Sequence, residues 1–158
     1  MKTFFLVNCA AWAIIAAAAF ADSQVSEQEQ APQAPGYGSV EMRIEGVSSP
    51  VGVIYVSLFI SANGFPDAPK SAYDSRSFPA TIEPVVLTYT SIPAGRIAVS
   101  VFHDADGNKV LNTNFLGIPK EDYGFSQNAR GRFGPPSFDT AAVSLAAGAT
   151  ESLVIKLH

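Results

Sequence analysis

The stretch SIPAGRIAVSVFHD, residues 91–104, decides the fold. Pro93 can set the bend of a turn, and Gly95 can adopt the positive φ that a turn requires. After the turn, every second residue is a large aliphatic: Ile97, Val99 and Val101. Successive side chains of a β-strand point to opposite faces, so this alternation predicts a strand with one face in a core.

Similar patterns lie on both sides of this stretch. Residues 39–45 alternate aliphatic with charged side chains, and residues 51–60 are rich in β-branched and aromatic residues. We expect these two strands to pair as a hairpin. Further strands are predicted at 85–90, 141–145 and 152–157, whereas residues 63–80 contain three prolines and predict a long surface connection.

The predicted fold class is all-β, a single antiparallel β-sandwich of about seven strands. After the apolar run near the amino terminus, no window of 11 or more residues has helical spacing. Short strands joined by turns leave a sandwich or a small barrel, and the low, uneven strand count favours the sandwich because a barrel needs strands of matched length. One long loop rich in Gly, Pro and Asn interrupts the strands between residues 104 and 139.

The amino-terminal segment reads as a secretory signal peptide, residues 1–21. Lys2 precedes an apolar run from Phe4 to Phe20, and Ala19 and Ala21 suit cleavage before Asp22. The alternative, a membrane anchor, is less favoured because the run of about 17 residues is shorter than the roughly 20 that a span needs. Residues 22–38, rich in Gln, Glu, Pro and Ala, predict a disordered linker, and residues 39–158 predict the sandwich domain. The chain is thus expected to be exported, periplasmic or secreted, with no transmembrane segment after cleavage.

The composition argues against thiol chemistry and against nucleic-acid binding. Cleavage would remove Cys9, the one cysteine, so the domain would hold neither a disulfide nor a thiol nucleophile. Without Lys2, 14 acidic and nine basic side chains remain, so the net charge changes from -4 to -5. A mildly acidic chain without a basic cluster argues against nucleic acid as a partner.

The long loop opens with oxygen-bearing side chains at every second position. We take five residues as candidate calcium ligands: Asp104, Asp106, Asn108, Val110 through its carbonyl, and Asn112. Carboxylate and amide oxygens suit a hard cation, although Lys109 stands where a calcium loop has glycine and Phe115 where it has a bidentate glutamate. The alternative is a polar turn in which Asp and Asn side chains bond their own backbone.

The second half of the loop combines aromatic residues with arginines. Its candidate ligand or partner surface comprises Tyr123, Phe125, Arg130, Arg132 and Phe133. Arginine beside exposed aromatics suits recognition of a carboxylate, a phosphate or a sugar acid. The alternative is a packed Ω-loop whose arginines pair with Glu121, Asp122 or Asp139.

Catalysis has few candidates in this chain. His103 is the one side chain placed within the domain for acid–base work near neutral pH, since His158 ends the chain. Its neighbour Asp104 should point to the opposite face of the strand and so cannot orient it. We expect no enzyme activity and expect His103 to bond the loop backbone. A metal-assisted enzyme using His103 and Asp104 is kept as an alternative.

Three strings carry a family resemblance: FHDADGN, LNTNFLGIPKEDYGFS and ARGRFGPPSFD. From about Val40 to Leu157 the chain resembles the domain of unknown function 2141 family of small exported bacterial proteins. The resemblance implies a β-sandwich similar in plan to transthyretin-like or immunoglobulin-like domains. Family members commonly show H-D-x-N-G-N-G-K-L-D-T-N at this loop, and here Asp106, Lys109 and Asn112 replace an Asn, a Gly and an Asp. The resemblance implies no reaction.

Together these features predict an exported, non-catalytic binding or interaction module that uses the 104–139 loop, with weak calcium binding as its only cofactor candidate. The partner would be an unknown ligand or an envelope protein. Besides the enzyme, a second alternative is an envelope-structural protein in which calcium ties the loop.

Overall fold

A computed structural model gives the structure of the chain and describes residues 36–158. The strands are β1 Tyr37–Glu45, β2 Val53–Phe59, β3 Asp74–Pro79, β4 Val85–Pro93, β5 Gly95–Asp104, β6 Tyr123–Phe125, β7 Val143–Leu145 and β8 Thr150–Lys156. Helix α1 spans Phe138–Ala141, and short 3-10 turns span Pro69–Ser71 and Ser126–Asn128. The predicted signal peptide and residues 22–35 of the predicted linker lie outside the described residues. Within residues 36–158, every helix is too short to cross a membrane.

Two packed sheets confirm the all-β sandwich. A three-stranded sheet has the order β4-β1-β8, and a larger sheet has the order β3-β2-β5-β6, with β7 pairing the start of β5. The structure has about eight strands against the seven expected. Most pairs are antiparallel, but β1 and β8 run parallel, with Met42 opposite Leu153.

The expected hairpin between the first two strands is wrong. β1 pairs with β4 and β8, whereas β2 pairs with β3 and β5, so the two strands belong to different sheets. Residues 46–52 carry the chain from one sheet to the other. An alternating pattern shows which face of a strand is buried and says nothing about its partner, so the sequence pattern could not reveal this crossing.

The predicted surface connection at residues 63–80 contains strand β3, which the sequence pattern did not predict. Its sequence DSRSFP is polar, and only Asp74 and Phe78 are half-buried. β3 lies at the edge of the larger sheet, and an edge strand forms backbone hydrogen bonds without needing an alternating apolar face. The long loop likewise contains β6 and the single-turn helix α1, both too short to produce a detectable period.

Apolar side chains cover both faces of the larger sheet. Ile97, Val99 and Val101 of β5 pack between the two sheets with residues from β1, β2, β4 and β8, as the alternation predicts. A second cluster lies on the outer face, where Phe59 and Ala98 pack with residues of the long loop: Phe125, Ala129, Phe138 and Ala141. The long loop therefore folds back over the outer face of the larger sheet.

Gly52 fixes how the start of β2 meets the end of β5. Its φ is +95°, and a Cβ at this position would overlap the backbone carbonyl of Asp104 and Cα of Ala105. The same close approach places Val53 opposite Asp104. Because backbone atoms cannot move aside as a flexible side chain can, only glycine fits here.

We predict that Gly52→Ala lowers the free energy of unfolding by about 3 kcal/mol or more, because it adds a backbone clash to an unfavourable φ. Gly148→Ala is the matched control, since Gly148 has φ +75° with open space around it, and should lose about 1 kcal/mol. Urea denaturation of both variants measures the difference. Equal losses in the two variants would show that the close approach at Gly52 does not constrain the fold.

Candidate functional site

A buried carboxylate begins the long loop. Asp104 ends β5 and is fully buried. Its Oδ1 accepts hydrogen bonds from the backbone N–H groups of Gly107 at 2.8 Å and Asn108 at 3.1 Å, and its Oδ2 accepts one from Lys109 at 2.8 Å. One side chain thereby satisfies three consecutive amides and closes the loop into a tight turn.

These contacts also determine the charge of Asp104. Burial alone raises the pKa of a carboxyl group, but the three N–H donors outweigh it, and the pKa of Asp104 is lowered. The turn requires left-handed backbone at Gly107 and at Lys109, where φ is +66°. Lys109 therefore occupies the position at which the sequence analysis noted a missing glycine, and the buried carboxylate compensates for that unfavourable backbone.

Glu121, in the middle of the long loop, is bonded to the start of that loop. Its Oε1 accepts from the N–H of Ala105 at 2.9 Å, and its Oε2 from the N–H of Asn112 at 2.8 Å. Asp106 accepts hydrogen bonds from the side-chain amides of Asn108 at 3.1 Å and Asn112 at 2.7 Å. The start of the loop is thus a closed network of carboxylates and amides.

The structure brings together part of the predicted calcium set. Carboxylate oxygens of Asp104, Asp106 and Glu121 all lie within 4.8 Å of one another. Asn108 and Asn112 surround Asp106 but present their NH₂ groups to it, while Val110 donates its N–H to Asn108 Oδ1 at 2.8 Å. Glu121 is a further member of this cluster that the spacing of Asp104, Asp106 and Asn108 did not predict, and it was expected only as a partner for arginines.

A small hairpin explains why Glu121 meets Asp104. Thr113 and Pro119 form a bridge, and the N–H of Lys120 donates to the carbonyl of Asn112 at 2.8 Å. The hairpin thereby places Glu121 beside Asp104, although the two are far apart in sequence. Asn114 and Gly117, which are turn-forming residue types, are the sequence feature that could have predicted this hairpin. The tip is apolar and exposed, with Phe115 94% exposed.

His103 lies in a buried polar contact. Its Nε2 is 2.6 Å from the carbonyl oxygen of Val51, and its Nδ1 is 3.5 Å from Oδ2 of Asp122. Only 2% of His103 is exposed. The ring therefore bonds a backbone carbonyl, but one of the connection between the sheets and not of the long loop as expected, and it contacts Asp122 instead of Asp104.

Asp122 joins this contact to the connection between the sheets. Its Oδ2 accepts from the backbone N–H of Ser48 at 2.7 Å and from the Ser48 hydroxyl at 2.5 Å. Burial raises the pKa of Asp122, but the two Ser48 donors and His103 outweigh it and hold the pKa below its ordinary value. The end of the hairpin is thus attached to residues 46–52.

A wide groove lies between the outer face of the larger sheet and the long loop. The aromatic rings of Tyr55 and Phe102 stack at its floor, with centroids 5.1 Å apart. Leu111, Ile118 and Pro119 of the hairpin form one side. The groove has a volume of about 1200 Å³, larger than the roughly 300–1,000 Å³ of typical small-molecule pockets.

The predicted ligand surface divides in two. Tyr123, Phe125, Arg132 and Phe133 all line the groove, but Arg130 lies at another site with Glu45 and His158. Phe125 is only 6% exposed and packs against Phe65, with ring centroids 6.0 Å apart, so it mainly supports the groove from below.

The acidic partners proposed for these arginines are engaged elsewhere. Asp139 forms an ion pair with Arg96, while Glu121 and Asp122 form the contacts described above. Within residues 36–158, the ion pairs include neither Arg130 nor Arg132.

These features define a β-sandwich domain with a preformed surface groove over one sheet. The chain belongs to the family described as "Uncharacterized protein conserved in bacteria (DUF2141)", whose model matches residues 42–152, from within β1 to the start of β8. The family resemblance found in the sequence is therefore confirmed. No curated protein and no solved structure matches the chain.

We predict that Asp104→Asn lowers the free energy of unfolding at pH 7 by about 1–3 kcal/mol. The carboxylate accepts three N–H groups through two oxygens, whereas the amide has a single acceptor oxygen. A carboxyl group whose pKa is lowered by folding stabilises the protein above its unfolded pKa of about 4 and loses that effect as pH falls through the folded value. The urea concentration at the unfolding midpoint of the unchanged protein should therefore decrease as the pH is lowered below about 4. In the variant this decrease should be less steep.

Asp106→Asn is the control, because Asp106 is exposed and its loss should cost under about 1 kcal/mol. Equal pH profiles for the unchanged protein and Asp104→Asn would contradict a stabilising role for the buried carboxylate.

Proposed function

We propose that this chain is an exported, non-catalytic binding module whose groove receives an apolar ligand or partner segment. The proposal keeps the expected role of the 104–139 loop, which supplies the hairpin wall and the residues around Phe133. It places the binding surface between that loop and the outer face of the larger sheet. The site of action would be the periplasm or the cell exterior.

The observation that carries the proposal is a concentration of exposed apolar side chains around the groove. Val110, Leu116, Ile118 and Phe133 line it and are all more than half exposed, and Phe133 is 98% exposed. Phe115 adds a further exposed ring at the hairpin tip. Contiguous exposed apolar surface is costly in water and commonly marks a binding site.

The loop is also held in place before any ligand binds. Asp104 and Glu121 hold residues 105–112 against the end of β5, and His103 and Asp122 join the loop to residues 46–52. A preformed wall reduces the entropy that binding must otherwise remove. This rigidity favours a recognition surface over a disordered connection.

A binding role also agrees better than catalysis with the placement of His103. The ring is 2% exposed, and both its nitrogens face acceptors of the protein, so it has no open path to a substrate. A general base must reach the proton that it removes. An enzyme using His103 and Asp104 would therefore require the end of β5 to open.

We predict that the neutral fluorescent probe N-phenyl-1-naphthylamine binds the groove with enhanced emission. The double variant Leu116→Ser/Phe133→Ser should lower its affinity about tenfold, because two exposed apolar groups are lost from the groove. Val86→Ser is the control, since Val86 is an exposed apolar residue of β4 in the other sheet. Fluorescence titration measures both. Absence of probe binding, or an equal loss in the control, would contradict the proposal.

A second candidate function is calcium binding at the start of the loop, favoured by the three carboxylates of Asp104, Asp106 and Glu121. Three negative charges within 4.8 Å repel one another, and a divalent cation would relieve that repulsion. The amide oxygens of Asn108 and Asn112 would face the cation after rotation of their side chains. Such binding would serve a structural role by tying the loop.

We predict that millimolar Ca²⁺ raises the thermal midpoint relative to EDTA, because a ligand of the folded state stabilises it. Glu121→Gln should reduce the shift, whereas Glu41→Gln, an exposed carboxylate of β1, should leave it unchanged. A midpoint that is the same in calcium and EDTA would eliminate the calcium site and leave the polar turn as the role of these residues.

A further inference from the structure

We propose that the groove binds a single-chain amphiphile with a carboxylate head, such as a fatty acid anion. This inference rests on the proposed binding function and specifies the chemistry of its ligand. It follows from the charges along the groove and from their position next to apolar side chains.

The charges around the groove favour an anion. Three basic residues line it, Arg76, Lys109 and Arg132, against one acidic residue, Asp67. The whole chain carries a net charge of -4. The groove is thus a basic region on an acidic protein, and opposite charge in the ligand would give electrostatic complementarity.

Two of the three basic side chains remain for a ligand. Arg76 is engaged by Asp74 at 3.1 Å and by the carbonyl of Thr88 at 3.0 Å, and it also lies over the ring of Tyr89. The side chains of Lys109 and Arg132 have no hydrogen bond or ion pair with any residue of the described range 36–158. These two cations are the recognition groups that we assign to the carboxylate head.

Each of these cations is followed directly by an exposed apolar side chain. Lys109 precedes Val110, and Arg132 precedes Phe133. Both pairs line the same groove from different parts of the long loop. A ligand with a charged head joined to an apolar chain satisfies such pairs, whereas an apolar ligand would leave the cations unused.

The uncharged polar side chains of the lining carry only hydroxyl groups, which favours a mostly apolar ligand over the sugar acid that the sequence had left open. Glycan hydroxyls need several side-chain hydrogen-bond partners, yet the groove lining within residues 36–158 includes no Asn, Gln, Glu or His. Three of its four serine hydroxyls are already bonded, those of Ser57 and Ser75 to each other at 3.1 Å and that of Ser100 to the carbonyl of Pro66 at 3.1 Å. The lining favours a ligand that is mostly apolar.

The experiment compares decanoate, decanol and decylamine as competitors of bound N-phenyl-1-naphthylamine in the protein lacking residues 1–21. Decanoate should bind about tenfold more tightly than decanol, and decylamine should bind most weakly. Sodium chloride at about 0.5 M should reduce the preference for decanoate, because salt screens exposed charges.

Arg132→Gln tests the head-group contact. It should weaken decanoate about three- to fivefold more than it weakens decanol or the neutral probe, as expected for loss of one exposed charge contact. Arg130→Gln is the matched control, two residues away in the chain but outside the groove, and should change none of the affinities.

The outcomes separate the two proposals. Equal affinities for decanoate and decanol, with the probe still bound, would overturn the carboxylate inference and keep the binding function, leaving an uncharged apolar partner such as a protein segment or a second copy of the chain. Failure of the probe to bind would overturn both. An equal effect of Arg130→Gln and Arg132→Gln would overturn the assignment of the head group to Arg132.

Discussion

The buried carboxylate of Asp104 is the contact on which the rest of the site depends. It ends the central strand of the larger sheet, β5, and accepts three backbone N–H groups. These bonds turn the chain sharply where that strand ends. Glu121 then bonds the N–H groups of Ala105 and Asn112 on either side of this turn. A buried anion needs several donors to remain charged, and here the donors belong to the loop that it organises. The hairpin wall of the groove follows from this arrangement.

The second determining feature is that the larger sheet carries apolar residues on both faces. One face packs against the three-stranded sheet, and part of the other packs under the long loop around Phe59 and Phe138. The rest of the outer face, with Tyr55 and Phe102, is the groove floor. The same loop therefore adds a small second core and leaves an open apolar surface beside it, which explains how a compact sandwich presents a binding groove.

The sequence predicted the strands with strong alternation, such as residues 97–101, and the sandwich class. It could not place the first two strands in different sheets, because alternation shows which face is buried and not which strand lies alongside. β3 escaped detection because an edge strand tolerates polar residues. At the site, the spacing of Asp104, Asp106 and Asn108 indicated a folded polar loop. Glu121 reaches these residues only because the hairpin between residues 112 and 120 folds the chain back. Arg130 and Arg132, two residues apart, line different sites, and the chain bends over residues 132–135.

Amide hydrogen exchange of Gly107, Asn108 and Lys109, measured by NMR at neutral pH, tests most directly whether the buried carboxylate holds the loop in a preformed conformation. We expect these amides to exchange at least about a hundredfold more slowly than in an unstructured chain, although the residues themselves are exposed. Exchange at the rate of an unstructured chain would mean that the carboxylate does not hold the loop, and the groove would then lack its wall.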